Sequence, residues 1–147
     1  MKKELVMGNE AIALGAIDAG VEYVFGYPGT PSTEIVETIY QRRHSDIYVE
    51  WSVNEKVALE AAAVVAYSGA RCMVTMKQVG LNVCSDPAMN LSYIGVTGGL
   101  VIVVADDPGP ISSQTEQDTR VLASFTKLPL LVPSTAEEAY DIVQDAF

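Results

Sequence analysis

Residues 47–77 read "IYVEWSVNEKVALEAAAVVAYSGARCMVTMK". The two ends are short runs that favour strands, and the middle is rich in Ala, Val and Leu, which favour a helix. We therefore predict a strand at 47–51, a helix that Ser52 caps and Gly69 ends, and a second strand at 71–77. Strands joined through a helix in this way lie parallel in one sheet. The stretch predicts a βαβ unit.

The same alternation of strands and helices continues on both sides of this unit. We predict further strands at 21–27, 100–106 and 130–133, helices at 8–20, 31–43, 117–124 and 134–147, and at 78–95 a loop with helical pieces, broken at Pro87. The central strands are continuous apolar runs, as in parallel sheets covered on both faces. The predicted fold class is therefore α/β, a three-layer α/β/α arrangement with a mainly parallel sheet, in a single domain over residues 1–147.

Composition excludes several classes of protein. The 147 residues carry a formal net charge of −10 at pH 7, which repels phosphate backbones, so we expect no nucleic-acid partner. No apolar run reaches the roughly 18 residues of a membrane span, and no signal peptide is apparent, so we expect no membrane and a cytoplasmic location. Cys72 and Cys84 form no CxxC pair, and we expect buried free thiols, no metal site, and His44 at the surface.

The candidate site lies where the predicted strands end. In parallel α/β sheets, ligands bind beyond the carboxyl ends of the strands. The loops at those ends span 27–31, 52–55, 78–83 and 106–116, and all are rich in Gly, Pro, Ser, Asn or Gln. The chain has no Walker loop, no GxGxxG after its first strand and no plausible Ser-His-Asp set. Common nucleotide-binding and hydrolase functions are therefore not indicated.

Glu55 has two interpretations. Ser52 and Glu55 have the S-x-x-E spacing of a capping box, in which the carboxylate reaches back to the N-cap amide. Glu55 also lies at the carboxyl end of a central strand, on a helix that we expect to be buried all round. A carboxylate there would be poorly solvated and suited to share a proton. Glu50 and Glu60 are the rival candidates for this role. Glu50 lies within the strand, and Glu60 lies about 140° round the helix from Glu55, so it cannot share the same site.

Five motifs in order carry a family resemblance: "GNEA" (8–11), "YPGTPSTE" (27–34), "NEKVALEAAAVVAYSGA" (54–70), "KQVGLNVCSDP" (77–87) and "DDPGPISSQTEQDTR" (106–120). The chain resembles thiamine-diphosphate-dependent 2-oxoacid:ferredoxin oxidoreductases, most of all the α subunits of the indolepyruvate type. The likeness implies an N-terminal pyrimidine-binding domain that is a fragment of a longer subunit. It implies that Mg²⁺ and the iron–sulfur clusters are held by parts absent from this chain.

The resemblance implies a role for Glu55 and for the first loop. In this family a glutamate hydrogen-bonds the aminopyrimidine of thiamine diphosphate, which begins the activation of the thiazolium C2. Glu55 lies at the matching place. By the same likeness Pro28 and Gly29 line the cofactor, Thr30 contacts the substrate, and the small Gly29 leaves room for a large substrate side chain. Without a ligand, the loop is a strand–turn–helix junction, with an unusual backbone angle at Gly29, Thr30 as N-cap and Pro31 as first helical residue.

The resemblance also implies roles for residues of the third loop and marks the fourth loop as a family signature. It implies that Gly80 and Asn82 position the cofactor and that Gln78 contacts the substrate, although an ordinary polar loop explains the same residues. The loop over 106–120 is a family signature for which we predict no chemical role, and a solvated loop is its alternative. In pyruvate-specific relatives an arginine in this region binds the substrate carboxylate, and Arg120 does not align cleanly with it.

Together these features predict part of an oxidative 2-oxoacid decarboxylase. The resemblance implies that the whole enzyme converts an aryl pyruvate and coenzyme A to an acyl-CoA, releases CO₂ and reduces ferredoxin. Its implied partners are a diphosphate-binding module of the same enzyme, a β subunit, ferredoxin and a second copy in a homodimer. Two alternatives remain open at this point. They are a small subunit of a non-oxidative decarboxylase of the sulfopyruvate type and a non-catalytic α/β binding domain.

Overall fold

A computed structural model describes residues 4–43, 46–111 and 113–147 of the chain. His44, which we predicted at the surface, lies outside these ranges. The elements that the described residues form are α1 (Gly8–Asp18), β1 (Tyr23–Gly26), α2 (Thr33–Arg42), β2 (Tyr48–Trp51), α3 (Glu55–Tyr67), β3 (Arg71–Lys77), α4 (Gln78–Val83), α5 (Ser85–Ile94), β4 (Gly99–Ala105), α6 (Thr119–Thr126) and α7 (Ala136–Asp145).

The strands form one parallel sheet in the order β2-β1-β3-β4. Side chains of β3 alternate between its faces, so that Cys72, Val74 and Met76 join one core and Met73 joins the other. Helices α3, α4 and α5 pack on the first face, and α1, α2 and α7 pack on the second. The predicted three-layer α/β/α fold with a parallel sheet is confirmed.

The predicted strand at 130–133 is wrong. Within the described range 113–147, these residues form no strand, and the side chains of Leu130, Leu131 and Val132 are 46–54% exposed. Pro129 and Pro133 flank the three apolar residues. Because proline has no N–H to donate to a strand ladder, the pair disfavours pairing with the edge strand β4.

Two other boundaries differ from the prediction. The stretch 78–95, predicted as a loop with helical pieces broken at Pro87, forms two short helices, α4 and α5, and the break between them falls at Cys84. Pro87 is the third residue of α5, and in the first helical turn its missing N–H removes no hydrogen bond. Helix α6 begins two residues later than predicted, because Asp118 is its N-cap and accepts a hydrogen bond from the Arg120 N–H.

Helix α3 is not buried all round as predicted. Its inner positions are fully covered, but Val57, Val64 and Tyr67 are 40%, 66% and 40% exposed. We call these three residues the outer face of α3. This row of partly exposed apolar side chains is a candidate contact surface. Within the described ranges, no helix is both long and apolar enough to span a bilayer.

Helices α1 and α7 pack so closely that Gly15 has no space for a side chain. A methyl group on Gly15 would lie 2.4 Å from the Tyr140 carbonyl oxygen and 2.4 Å from Cγ1 of Val143. We expect Gly15→Ala to lower the free energy of unfolding by about 1–3 kcal/mol, because the two helices must move apart. Gly8→Ala is the control, since Gly8 lies in the same helix with nothing within 4 Å.

Chemical denaturation of the two variants measures this difference. We expect Gly8→Ala to change the free energy of unfolding by less than about 1 kcal/mol, and in the stabilising direction, because alanine favours helices. Equal stability of Gly15→Ala and Gly8→Ala would show that the contact between α1 and α7 is looser than the structure indicates.

Candidate functional site at the carboxyl edge of the sheet

The four loops that follow the strands meet, as predicted. Gly29 contacts the side chain of Lys77 at the end of β3. The Ser113 hydroxyl donates to the Thr30 carbonyl over 3.4 Å, which joins the first loop to the fourth. Gly80 lies against Glu55 and so joins the second loop to the third. The carboxyl edge of the sheet therefore gathers residues that are up to 83 positions apart in sequence.

Helix α3 begins at Glu55, and its cap is not the predicted one. Asn54 is the N-cap, and its side-chain oxygen accepts from the Val57 N–H at 2.9 Å. Glu55 is thus the first helical residue rather than the third, so the capping box with Ser52 is wrong. The Ser52 hydroxyl is buried and finds no hydrogen-bond partner among the described residues. The capping interpretation of Glu55 therefore fails.

The Glu55 side chain is buried beside Gly80. The residue is 6% exposed, and no hydrogen bond from any described residue reaches its carboxylate. A methyl group on Gly80 would lie 2.6 Å from both Cγ and Oε1 of Glu55. The oxygens of this carboxylate are not among the fully buried polar atoms that lack a partner, so they remain open to a donor from outside the described residues. Gly80 provides the space that Glu55 occupies.

Both cysteines are unreactive, and Cys84 is the one that lies near this site. Both are free and buried, as predicted. Burial raises the pKa of the Cys84 thiol to about 12, and the negative charge of Glu55 acts in the same direction. Burial likewise raises the pKa of Cys72 to about 11. Because the thiolate is the reactive form, neither residue is a nucleophile at neutral pH.

The loop "YPGTPS" (27–32) differs in detail from the prediction. Ser32 is the N-cap of α2, which begins at Thr33, so Thr30 is not the cap and Pro31 is not the first helical residue. The loop closes on itself: the Gly29 N–H donates to Oγ1 of Thr33 at 2.9 Å, and the Ser32 hydroxyl donates to the Gly29 carbonyl at 2.8 Å. Thr30 and Pro28 are thereby left exposed beyond the sheet.

Gly29 lies close to a lysine side chain and has no unusual backbone angle. Among described glycines, those with positive φ are Gly20, Gly69, Gly95 and Gly109, so the unusual backbone angle predicted for Gly29 is wrong. A methyl group on Gly29 would instead lie 3.1 Å from Cδ of Lys77. The stem of this lysine occupies the space above Gly29, so the room that we expected Gly29 to leave for a large substrate side chain is already filled.

The fourth loop has a structural role that the sequence did not reveal. Its segment 114–117 lies along the start of α4. Four hydrogen bonds join them: Lys77 Nζ to Gln114 Oε1, Gln78 Nε2 to the Thr115 carbonyl and Asn82 Nδ2 to Gln117 Oε1, each at 2.8 Å, and Gln117 Nε2 to the Gln78 carbonyl at 3.4 Å. The segment therefore fixes α4, and with it Gly80, against the sheet.

These contacts define what Gln78 and Asn82 can offer a ligand. Gln78 is fully buried, and while its amide nitrogen is bound, its Oε1 is buried without a partner among the described residues. Asn82 is exposed, and its amide nitrogen is held by Gln117. Gln78 thus retains an acceptor, and Asn82 retains its carbonyl oxygen.

Arg120 is not available to a ligand in this arrangement. Its guanidinium forms two hydrogen bonds of 2.8 Å to the carboxylate of Asp118.

The sequence alone did not identify Asn54, Lys77 and Gln114 as residues of the site. A signal for Lys77 was present, since it is a cation at the carboxyl end of a central strand.

The fold and this edge define a class: ligand-binding α/β domains whose site lies at the carboxyl end of a parallel sheet. A protein-family model described as "Pyruvate flavodoxin/ferredoxin oxidoreductase, thiamine diP-bdg" matches residues 14–147. The chain belongs to this family of thiamine-diphosphate-binding domains.

Curated relatives are similar over almost the whole chain. Indolepyruvate oxidoreductase subunit IorA of Pyrococcus horikoshii is 48% identical over 147 residues, which cover 99% of this chain and 23% of the relative. The subunit of the same name from Archaeoglobus fulgidus is 47% identical, with 24% of its length covered. The 2-oxoglutarate synthase subunit KorA of Methanothermobacter thermautotrophicus is 30% identical, with 40% covered. The chain thus spans about a quarter of the indolepyruvate relatives.

A solved structure shares the fold. The 2-oxoglutarate:ferredoxin oxidoreductase from Magnetococcus marinus, solved with 2-oxoglutarate, coenzyme A and succinyl-CoA bound, superposes with a TM-score of 0.79. The match covers 96% of this chain and 26% of that one, at 20% sequence identity. At this identity the likeness shows the three-layer architecture alone.

Proposed function

We propose that this chain is the pyrimidine-binding domain of an indolepyruvate-type 2-oxoacid:ferredoxin oxidoreductase. The whole enzyme would convert an aryl pyruvate and coenzyme A to an acyl-CoA and CO₂ and reduce ferredoxin. The observation that carries the proposal is the buried Glu55 carboxylate, which has no hydrogen-bond donor among the described residues and lies against Gly80. The near-50% identity to indolepyruvate oxidoreductase subunits supports the choice of substrate.

The residues present fit thiamine diphosphate. When bound, this cofactor supplies the nucleophilic carbon and the electron sink that decarboxylation of a 2-oxoacid requires. Glu55 would hold the aminopyrimidine through a hydrogen bond to its carboxylate and keep a shared proton there. Pro28 and the backbone of Gly29 would line the ring beside the Lys77 stem, and Gly80 would leave Glu55 the space that it occupies next to the ring. Asn82 would offer its remaining carbonyl oxygen.

Two further side chains are proposed to face the substrate. Thr30 is exposed on the loop after β1, and its hydroxyl can donate to an oxoacid oxygen. Gln78 is fully buried, so its unpartnered Oε1 would act on the substrate only through a bound water that donates to it. A buried acceptor without a partner is unfavourable in the ligand-free chain, so filling it favours binding.

The proposed partners follow from the same resemblance to the family. The diphosphate group and Mg²⁺ would be held by a diphosphate-binding module, and the iron–sulfur clusters by other parts of the enzyme. A β subunit and ferredoxin would complete the electron path. We propose that the outer face of α3 (Val57, Val64 and Tyr67) contacts the neighbouring module in a homodimer. This helix begins at Glu55.

A substrate comparison tests the proposed function. The complete enzyme is assayed for ferredoxin reduction, followed by its absorbance change, with coenzyme A and either indolepyruvate, phenylpyruvate, pyruvate or 2-oxoglutarate. We expect kcat/KM to be highest for the two aryl pyruvates. Preference for pyruvate or 2-oxoglutarate would overturn the substrate assignment. Release of CO₂ and an aldehyde without ferredoxin reduction would instead support a non-oxidative decarboxylase of the sulfopyruvate type.

A further inference from the structure

Lys77 extends from the end of β3 across the first loop. Its Cδ and Cε would lie 3.1 and 3.3 Å from a methyl group placed on Gly29, so its stem lies directly over this glycine. Thr30, the exposed residue that we propose contacts the substrate, follows Gly29 in the chain. The ammonium group of Lys77 is thereby carried to the loops of the candidate site.

Lys77 forms no ion pair with any residue in the part of the chain that the structure describes. Its Nζ donates to the neutral Oε1 of Gln114 at 2.8 Å. Among the described residues, ion pairs join Arg42 to Glu4, Lys56 to Asp86 and Glu60, and Arg120 to Asp118. None of them involves Lys77. Gln114 therefore holds the ammonium in place while leaving its positive charge unpaired.

We propose that Lys77 binds the carboxylate of the 2-oxoacid. The inference rests on the proposed function, in which every substrate carries such a group. A chain with a formal net charge of −10 repels anions in general, so an anionic substrate needs a local cation at the site. Arg120 serves less readily, because Asp118 already forms two hydrogen bonds with one edge of its guanidinium.

The chemistry of decarboxylation predicts which kinetic constant Lys77 governs. The carboxylate that the ammonium binds is the group that leaves as CO₂, so its negative charge is present in the bound substrate and disperses as the reaction proceeds. An interaction that does not strengthen in the transition state contributes to KM rather than to kcat. Lys77 is therefore a substrate-binding residue.

The experiment replaces Lys77 in the complete enzyme. For Lys77→Met we expect KM for indolepyruvate to rise about 10- to 100-fold, the scale of a lost charged hydrogen bond, with kcat within about threefold and KM for coenzyme A unchanged. Lys77→Arg should recover at least part of the loss, because it restores the charge. Lys127→Met, at an exposed lysine at the end of α6, is the matched control and should leave all constants unchanged.

A binding measurement separates this inference from the proposed function. Calorimetry compares indole-3-acetate with its neutral amide on the wild-type enzyme, on Lys77→Met and on Lys77→Gln, which serves if the Met variant does not fold. We expect the wild type to bind the acid more tightly by about 10-fold or more, and both variants to lose that preference. A preference retained in the variants would overturn the role of Lys77 even if indolepyruvate is the substrate. Failure of the wild type to oxidise aryl pyruvates would overturn the proposed substrate alone, since acid and amide binding still report on Lys77.

Discussion

Glu55→Gln is expected to lower oxoacid-dependent ferredoxin reduction by the complete enzyme at least roughly a hundredfold, the scale of a lost acid–base group. Glutamine keeps the shape of the side chain and can still form a hydrogen bond, but it cannot hold the shared proton. The matched control is Glu60→Gln on the same helix. Glu60 is exposed and contacts Lys56 at 3.8 Å, so its loss should leave kcat nearly unchanged.

The stability of Glu55→Gln provides an independent readout. Because the charge is buried without a donor among the described residues, its removal should leave the unfolding midpoint unchanged or raise it. A helix-capping role would give the opposite result, since loss of a cap lowers stability by about 1 kcal/mol. Activity within about threefold of wild type would show that Glu55 is structural and would remove the basis of the thiamine assignment.

Gly80→Ala is expected to reduce kcat about ten- to a hundredfold while the protein still folds. The added methyl group would lie 2.6 Å from Cγ and Oε1 of Glu55. Since the obstacle is a side chain and not backbone, Glu55 can turn away, and the fold needs little adjustment. A carboxylate displaced by about an ångström would no longer be placed to hydrogen-bond the aminopyrimidine of the proposed cofactor. A displacement of this size is sufficient for such a loss of activity. Thermal unfolding alongside turnover would separate the two effects.

The double variant Glu55→Gln/Gly80→Ala shows whether Gly80 acts through Glu55. If Gly80 matters only because it makes room for the carboxylate, the double variant should be no slower than Glu55→Gln alone. Multiplied losses would show instead that the methyl group at position 80 obstructs the ligand directly. Gly8→Ala, at an unobstructed helical glycine, controls for the change of residue type.

The sequence was sufficient to predict the three-layer α/β/α architecture and the position of Glu55 at the carboxyl end of a central strand. Apolar runs of strand length, separated by helices that Gly20 and Gly69 end with positive φ, leave few alternatives to a parallel three-layer sheet. The first residues of the helices were less predictable, because several neighbouring polar residues can serve as the N-cap. Ser52 competes with Asn54, and tertiary packing decides between them.

Contacts between distant segments could not be read from local patterns. The hydrogen bonds of Lys77 and Gln78 to the fourth loop join residues 37 positions apart, and neither partner carries a periodic signal. A loop rich in Ser, Gln and Asp has the composition of a solvated connection whether or not it is bound. Its function became visible only when the folded sheet placed it beside α4.

Segment 114–117 sets a condition on any attempt to graft specificity from one relative to another. The segment supplies the neutral partner of Lys77 and also anchors the helix that keeps Gly80 against Glu55. A transplant of this loop alone would replace Gln114, which orients Lys77. It would also weaken the contacts that hold α4, and with it Gly80, in place beside Glu55. Recognition and turnover would change together unless residues 77–82 are transferred with it.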